Sequence, residues 1–317
     1  MQIGILECNQ FSKKAISTLE SVGKVELFDE SKNNLAEFLS DKDVIFVRLK
    51  HFLGKSLLSS AKQLRYICSP TTGHNHIDVE HLKSRGVELI SLKGETSFLN
   101  TVRATPEHTF GLVLALLRNY KFSFCDNQKS FEDRELFKGY EIYQKKIGII
   151  GLGRVGGIIS EYFVCFGASV EFYDILDVEH SDQINKIDAL NVLIDNNDIV
   201  ILCASYSDEN IAIIGKDQLD LMQGKYFINT ARGELVDEAY LLQKVKSNHF
   251  KGLALDVLSS ENGNNNLNRI RKYSETQNII ITPHIAGATY ESMSKTEEFI
   301  VDKLDNIIKK LGTKKGI

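Results

Sequence analysis

The sequence predicts an α/β chain built on two parallel sheets, and three observations carry that prediction. Short strand-like runs alternate with helix-like runs through residues 2–92. The alternation stops across 93–108. It resumes with "KKIGIIGLGRVGG" and continues almost to the end. A strand–helix–strand repeat crosses over between neighbours, so each series implies a parallel sheet covered by helices.

In the first series "QIGIL" leads into the helical "SKKAISTLESVG". Then come "KVELF", "NLAEFLSD", "DVIFV", "SLLSSAKQL", "RYICS", "DVEHLKSRG" and "VELISL". The stretch "KGETSFLNTVRATPEH" has no clean period and contains Gly94, Asn100 and Pro106. It reads as a connection into a long apolar helix, "EHTFGLVLALLRNYKF", with a domain boundary near residue 99. The strands of the second series are "KIGIIG", "SVEFYD", "DIVILC", "KYFIN", "GLALDV" and "NIIITP". The asparagine-rich "SSENGNNNLNRIRK" has the composition of a surface loop. The last helix carries Met293, Phe299, Ile300, Leu304, Ile307, Ile308 and Leu311 on one face, which needs a domain to dock on.

The 317 residues are 43% hydrophobic and 25% charged, with a formal net charge of -4. No dense basic block stands out, so neither nucleic acid nor an anionic membrane is an expected partner. The five cysteines are scattered without a C-x-x-C pair, which argues against a disulfide framework or a zinc site and fits a reducing cytosol. His74 and His76 have no third ligand near them, so no metal is expected. No apolar run approaches the roughly 20 residues of a membrane-spanning helix. The N-terminus is too mixed for a signal peptide. A soluble cytoplasmic protein is expected.

"GLGRVGG" places Gly151, Gly153 and Gly156 in G-x-G-x-x-G spacing, between a strand and a helix. The first glycine permits a tight turn, the second admits a pyrophosphate close to the backbone, and the third lets helix and strand pack. The helix N-terminus offers free N–H groups to the phosphates. Asp174 ends the next strand, where a carboxylate meets the adenosine ribose. Ile175, Leu176 and Asp177 bring no positive charge for a 2′-phosphate, which favours NAD over NADP. In "NTARGELVD", Arg232 stands just beyond the apolar "KYFI", at the carboxyl end of a strand, where open α/β sheets place ligands. A guanidinium there suits an anionic substrate.

Taken together, "YEIYQKKIGIIGLGRVGG", "FINTARGELVDEAYLLQKV", "GLALDVLSSE" and "ITPHIAGAT" resemble the D-isomer-specific 2-hydroxyacid dehydrogenase family, in its order and near its spacings. The resemblance implies two Rossmann-like domains with the active site in the cleft between them. Residues 1–98 and 289–317 would form the substrate domain, and 99–288 an inserted NAD-binding domain. It also implies NAD as cofactor, a small 2-hydroxy or 2-oxo acid as substrate, and a homodimer. The family's catalytic arginine falls on Arg232, its acid–base histidine on His284, and the acid partner of that histidine on Glu261. Expected around the cofactor are Gly151, Gly153, Arg154, Val155, Gly156, Asp174, Cys203, Ala204, Ser207, Thr230, Ala231, Asp256, His284 and Gly287. A histidine can take and return the hydroxyl proton, and a nearby carboxylate stabilises its charged form.

For the substrate, Arg48 matches the position where phosphoglycerate dehydrogenases hold a phosphate, and Lys50 sits two residues on. On a strand both would point the same way. The loop "TTGHNHID" offers N–H groups at Thr72, Gly73 and His74 to a carboxylate, with Arg232 as its charged partner. The substrate expected is therefore 3-phosphoglycerate or a similar phosphorylated or polyol acid. The alternatives are glyoxylate or hydroxypyruvate reduction, and an NAD(H)-sensing corepressor-type binding protein. Glu261 argues against formate, whose relatives use a glutamine there. Two segments depart from the family: "ATPEH" replaces S-V-A-E-H, and Cys203, Ala204 and Ser205 replace its H-x-P. A C-terminal regulatory domain is not expected.

Overall fold

The computed structural model describes residues 1–125, 131–259 and 266–314. The chain divides into two compact units, Met1–Val102 with Thr289–Ile317, and Arg103–Ala288. The first unit thus runs past the boundary expected at 98/99. Leu99 is buried in its core, and the Val102 N–H donates to the Leu99 carbonyl.

In the first unit β1 (Gln2–Ile5), β2 (Lys24–Leu27), β3 (Val44–Phe46), β4 (Tyr66–Ser69) and β5 (Glu88–Ser91) form a parallel sheet in the order β2-β1-β3-β4-β5. Successive strand residues serve opposite faces. Ile3, Ile5, Val44, Phe46, Tyr66 and Cys68 pack on one core, whereas Ile45 and Ile67 pack on the other. The first face is covered by the helices Lys13–Val22 and Tyr290–Lys314, through Leu19, Ile300, Val301 and Leu304. The last helix therefore docks with most of its expected face, although Leu311 stays 41% exposed.

In the second unit β6 (Lys146–Ile150), β7 (Ser169–Tyr173), β8 (Ile184–Lys186), β9 (Ile199–Leu202), β10 (Tyr226–Asn229), β11 (Gly252–Leu255) and β12 (Ile279–Ile281) are all parallel. Their order is β12-β11-β10-β9-β6-β7-β8. Strand order reverses between β6 and β9, and such a switch point opens a crevice at the carboxyl ends. The edge strand β8 was not expected from the sequence. It is only three residues long and pairs with β7 alone.

Three further elements differ from expectation. The long helix begins at Ala104, not at Glu107, with Pro106 in its first turn. Proline is tolerated there because first-turn N–H groups have no partner in the helix. The helix stops at Leu117, where Asn119 turns left-handed (φ 54°), and a short helix follows at Tyr120–Cys125. The asparagine-rich stretch ends in a helix, Leu267–Ser274, because Ile270 is wholly buried under the sheet. Among the described residues no helix is long and apolar enough to cross a membrane.

Candidate active site

The glycine turn sits at the reversal of the second sheet. Gly151 is left-handed (φ 92°), and a Cβ there would lie 2.7 Å from the Ala204 backbone nitrogen. The turn after β6 and the segment after β9 therefore meet backbone to backbone, and the Cys203 N–H donates to the Ile150 carbonyl at 2.8 Å. A side chain on Gly156 would strike the Gly151 carbonyl oxygen, so that glycine lets the helix Arg154–Cys165 approach the strand. Gly153 caps this helix, and the space beside it is open. Two glycines are thus spent on packing and one on access, which fits a dinucleotide phosphate. Burial, with the Arg103 charge nearby, holds the Arg154 guanidinium below its usual range. Val155 packs inward against the core.

Asp174 closes the turn. Its carboxylate accepts the Leu152 N–H at 2.8 Å and the Leu176 N–H at 2.9 Å. Ile175 and Leu176 are exposed beside it. One positive charge does lie close by: Lys186 of β8 donates to the Leu176 carbonyl and stands 3.5 Å from Asp177. On the other side, burial pushes the Cys203 thiol up to about 12, so it stays protonated at any working pH. Ser207 donates its N–H to Asn210 in an exposed turn.

Arg232 and His284 rise from the same edge of the sheet. Asn229, Leu255 and Ile281 are in register across β10, β11 and β12. Arg232 comes three residues after Asn229, and His284 three after Ile281. The buried Asn229 side chain shapes the arginine loop, accepting from the Ala231 N–H and donating to the Arg232 carbonyl. Gly233 follows because a side chain there would land on the Leu258 carbonyl carbon and the Ser259 nitrogen. Thr230 is buried, with its hydroxyl 2.7 Å from that of Thr109.

Asp256, directly after β11, is wholly buried. Its carboxylate accepts the Thr282 hydroxyl at 2.6 Å and the N–H groups of Ile285 and Ala286 at 2.9 and 3.0 Å. Burial opposes its charge, but His108, Thr282, Ile285 and Ala286 outweigh it and hold the carboxyl below the usual range. Both oxygens thus serve the turn that carries His284 and Gly287. His284 itself is left-handed at φ 53°.

Glu261 lies outside the described residues. The described residues on either side of that stretch, Ser259 and Asn266, are fastened by one side chain that the sequence did not single out. The buried Glu238 carboxylate accepts from the N–H and hydroxyl of Ser259 and from the N–H and amide of Asn266. His108 and Thr109 were also missed, although the unusual "ATPEH" run that contains His108 was the available signal.

In the first unit, Arg48 and Lys50 lie beyond the end of β3, not on it, and they diverge. The Arg48 guanidinium pairs with Glu297 and donates to the Asn9 carbonyl. Lys50 pairs with Glu30 at 2.6 Å. Glu7, following β1, accepts the N–H groups of Arg48 and Lys50 at 2.7 and 2.9 Å. In the loop after β4, Thr71 donates to the Gly73 carbonyl. The N–H groups of Thr72 and Gly73 have no acceptor among the described residues, and His74 holds the loop by accepting the Ile77 N–H.

The chain is 29% identical to the D-3-phosphoglycerate dehydrogenase of Methanocaldococcus jannaschii over 312 residues, covering 97% of this chain and 58% of that one. It is 27% identical to a glyoxylate reductase of Pyrococcus furiosus, covering 92% of this chain and 88% of the relative. The chain thus spans somewhat under two thirds of the length of its phosphoglycerate dehydrogenase relatives from M. jannaschii and Archaeoglobus fulgidus. Its fold matches the D-lactate dehydrogenase of Aquifex aeolicus, solved with NAD and lactic acid, at a TM-score of 0.75 and 25% identity, over 97% and 95% of the two chains. Residues 110–286, more than half of the chain, match the NAD binding domain of the D-isomer specific 2-hydroxyacid dehydrogenases, and the chain belongs to that family.

Proposed function

We propose that the protein is an NAD-dependent oxidoreductase that interconverts a D-2-hydroxy acid and a 2-oxo acid. The observation that carries this reading is the register of β10, β11 and β12, from which Arg232 and His284 emerge at one level of the sheet edge. The two strands that lead to them are separated by β11, roughly 10 Å apart, a span that one small substrate and two side chains can bridge. His284 takes the hydroxyl proton during oxidation and returns it during reduction. Arg232 binds the carboxylate and polarises the carbonyl oxygen with its fork of donors. Glu261 stabilises the charged imidazole.

Gly151, Gly153, Gly156 and the following helix hold the pyrophosphate, and Asp174 meets the adenosine ribose. Arg154, Val155, Cys203, Ala204, Ser207, Thr230, Ala231 and Gly287 line the remaining cofactor contacts. When bound, the dinucleotide supplies or accepts the hydride.

Thr72, Gly73 and His74 cradle the substrate carboxylate through their N–H groups. The pairing of Arg48 with Glu297 removes the charge that a substrate phosphate would use. That favours a small unphosphorylated acid, such as glyoxylate or hydroxypyruvate, over 3-phosphoglycerate. Exposed Phe166, and exposed Tyr143 lying against the neighbouring Gly167, support a homodimer through the second unit. The scattered free cysteines support a cytoplasmic enzyme.

The test is NADH consumption with glyoxylate, hydroxypyruvate and 3-phosphohydroxypyruvate. Reduction of an unphosphorylated acid, abolished in His284→Ala while NADH still binds, is the expected result. A preference for the phosphorylated acid would return Arg48 to the site. Tight NADH binding with no acid reduced would replace the enzyme by a nucleotide-sensing protein.

A further inference from the structure

We propose that His108 is a positioning residue that holds the His284 turn in place. The proposal rests on the reading of His284 as the acid–base group. A left-handed backbone at a residue with a side chain persists only where its surroundings over-determine it. At His284 they do. Its N–H lies 2.9 Å from the Asp256 carbonyl and 3.0 Å from that of Thr282. The Asp256 carboxylate grips the next two N–H groups and the Thr282 hydroxyl.

His108 enters this arrangement from a different element, the second turn of the helix Ala104–Leu117. Its Nε2 is 3.2 Å from Thr282 Oγ1 and 3.4 Å from Asp256 Oδ1. The Thr282 hydroxyl proton is already committed to Asp256, and the carboxylate only accepts. Nε2 therefore carries a proton and donates toward both. The resulting chain runs from His108 through Thr282 and Asp256 to the backbone beside His284. The adjacent Thr109 touches Thr230 in the arginine loop, so the same helix steadies both strand ends. Loss of the His108 donor leaves Thr282 and Asp256 short of a partner and lets the turn relax. Misplacing a reacting group by an ångström costs on the order of 10²-fold in rate.

The experiment compares His108→Leu, which has no donor, with His108→Gln, whose amide puts an N–H near the position of Nε2. Both are measured for steady-state kinetics and for amide hydrogen exchange. His108→Leu should lose about tenfold or more in kcat with KM for NADH unchanged, and exchange should accelerate at Ile285 and Ala286 but not across the β-sheet. His108→Gln should retain most of kcat and the slow exchange. Wild-type kcat and exchange in His108→Leu would overturn the proposal. So would equal losses in both variants, or faster exchange throughout the sheet. If the unmodified protein reduces no 2-oxo acid, the functional reading fails by itself, and the exchange pattern still decides what His108 holds.

Discussion

The guanidinium of Arg48 is bound to the carboxylate of Glu297, 249 residues away in the chain. The other oxygen of Glu297 accepts the Ser12 N–H at 2.7 Å, so one buried acid ties the end of β3 and the first helix to the last helix. Burial pushes the Glu297 carboxyl up, against the help of Ser12 and Arg48. Removing one partner of a buried pair strands the other charge. Glu297→Gln should therefore cost about 3–5 kcal/mol, read as a lower urea midpoint. An unchanged midpoint would mean that the pair holds nothing together.

Gly233 and Gly153 make a matched pair of tests. An alanine at Gly233 drives its Cβ into the backbone of Leu258 and Ser259. It should destabilise the protein by about 1–3 kcal/mol and lower Tm. At Gly153 the Cβ meets nothing, so Gly153→Ala should keep Tm but weaken NADH binding in a fluorescence titration. Equal Tm losses in the two variants would contradict the division of these glycines between packing and access.

Under the proposed function, Asp174 sets the choice of nucleotide. Its carboxylate is pinned by two N–H groups and cannot swing aside for a 2′-phosphate. The wild type should strongly prefer NADH to NADPH. Asp174→Ser should narrow the ratio of kcat/KM values by about tenfold, the equivalent of ~1.4 kcal/mol. A ratio unmoved by the substitution would place discrimination elsewhere, with Lys186 the next residue to change.

Acid stability should depend on Glu26. Hydrogen bonds from Lys24 and Lys42 lower its carboxyl from the ordinary 4.5 to about 2. A carboxyl lowered on folding stabilises the protein above its unfolded value, and the contribution fades as pH falls through the folded one. The window is therefore pH 4.5 down to about 2. Glu26→Gln should flatten the loss of Tm across that window, and parallel Tm profiles would refute the assignment.

What the sequence disclosed was local. A strand, a glycine turn and a helix lie within a few dozen residues, and "NTARG" carries its own shaping asparagine and packing glycine. Contacts between distant segments were hidden. His108 meets Thr282 at a separation of 174 residues, and nothing near either residue announces the other. Arg48 looked available for a phosphate because its partner lies near the end of the chain. The first turn of the long helix, Ala104 to Pro106, was hidden because it lacks the apolar period of the residues that follow. The strand β8 escaped because three residues with one neighbour leave no periodic signature.

The two sheets share a winding plan but not an electrostatic character at their reversals. Glycine backbone lines the crevice beside β6, whereas beside β1 the Glu7 carboxylate occupies the corresponding position and spends both oxygens on the opposite loop. An acid so placed repels phosphate, and the N–H groups that would have received one are already taken. Binding stoichiometry should follow: calorimetry would saturate at a single equivalent of nucleotide per polypeptide, despite the chain's two architecturally similar halves.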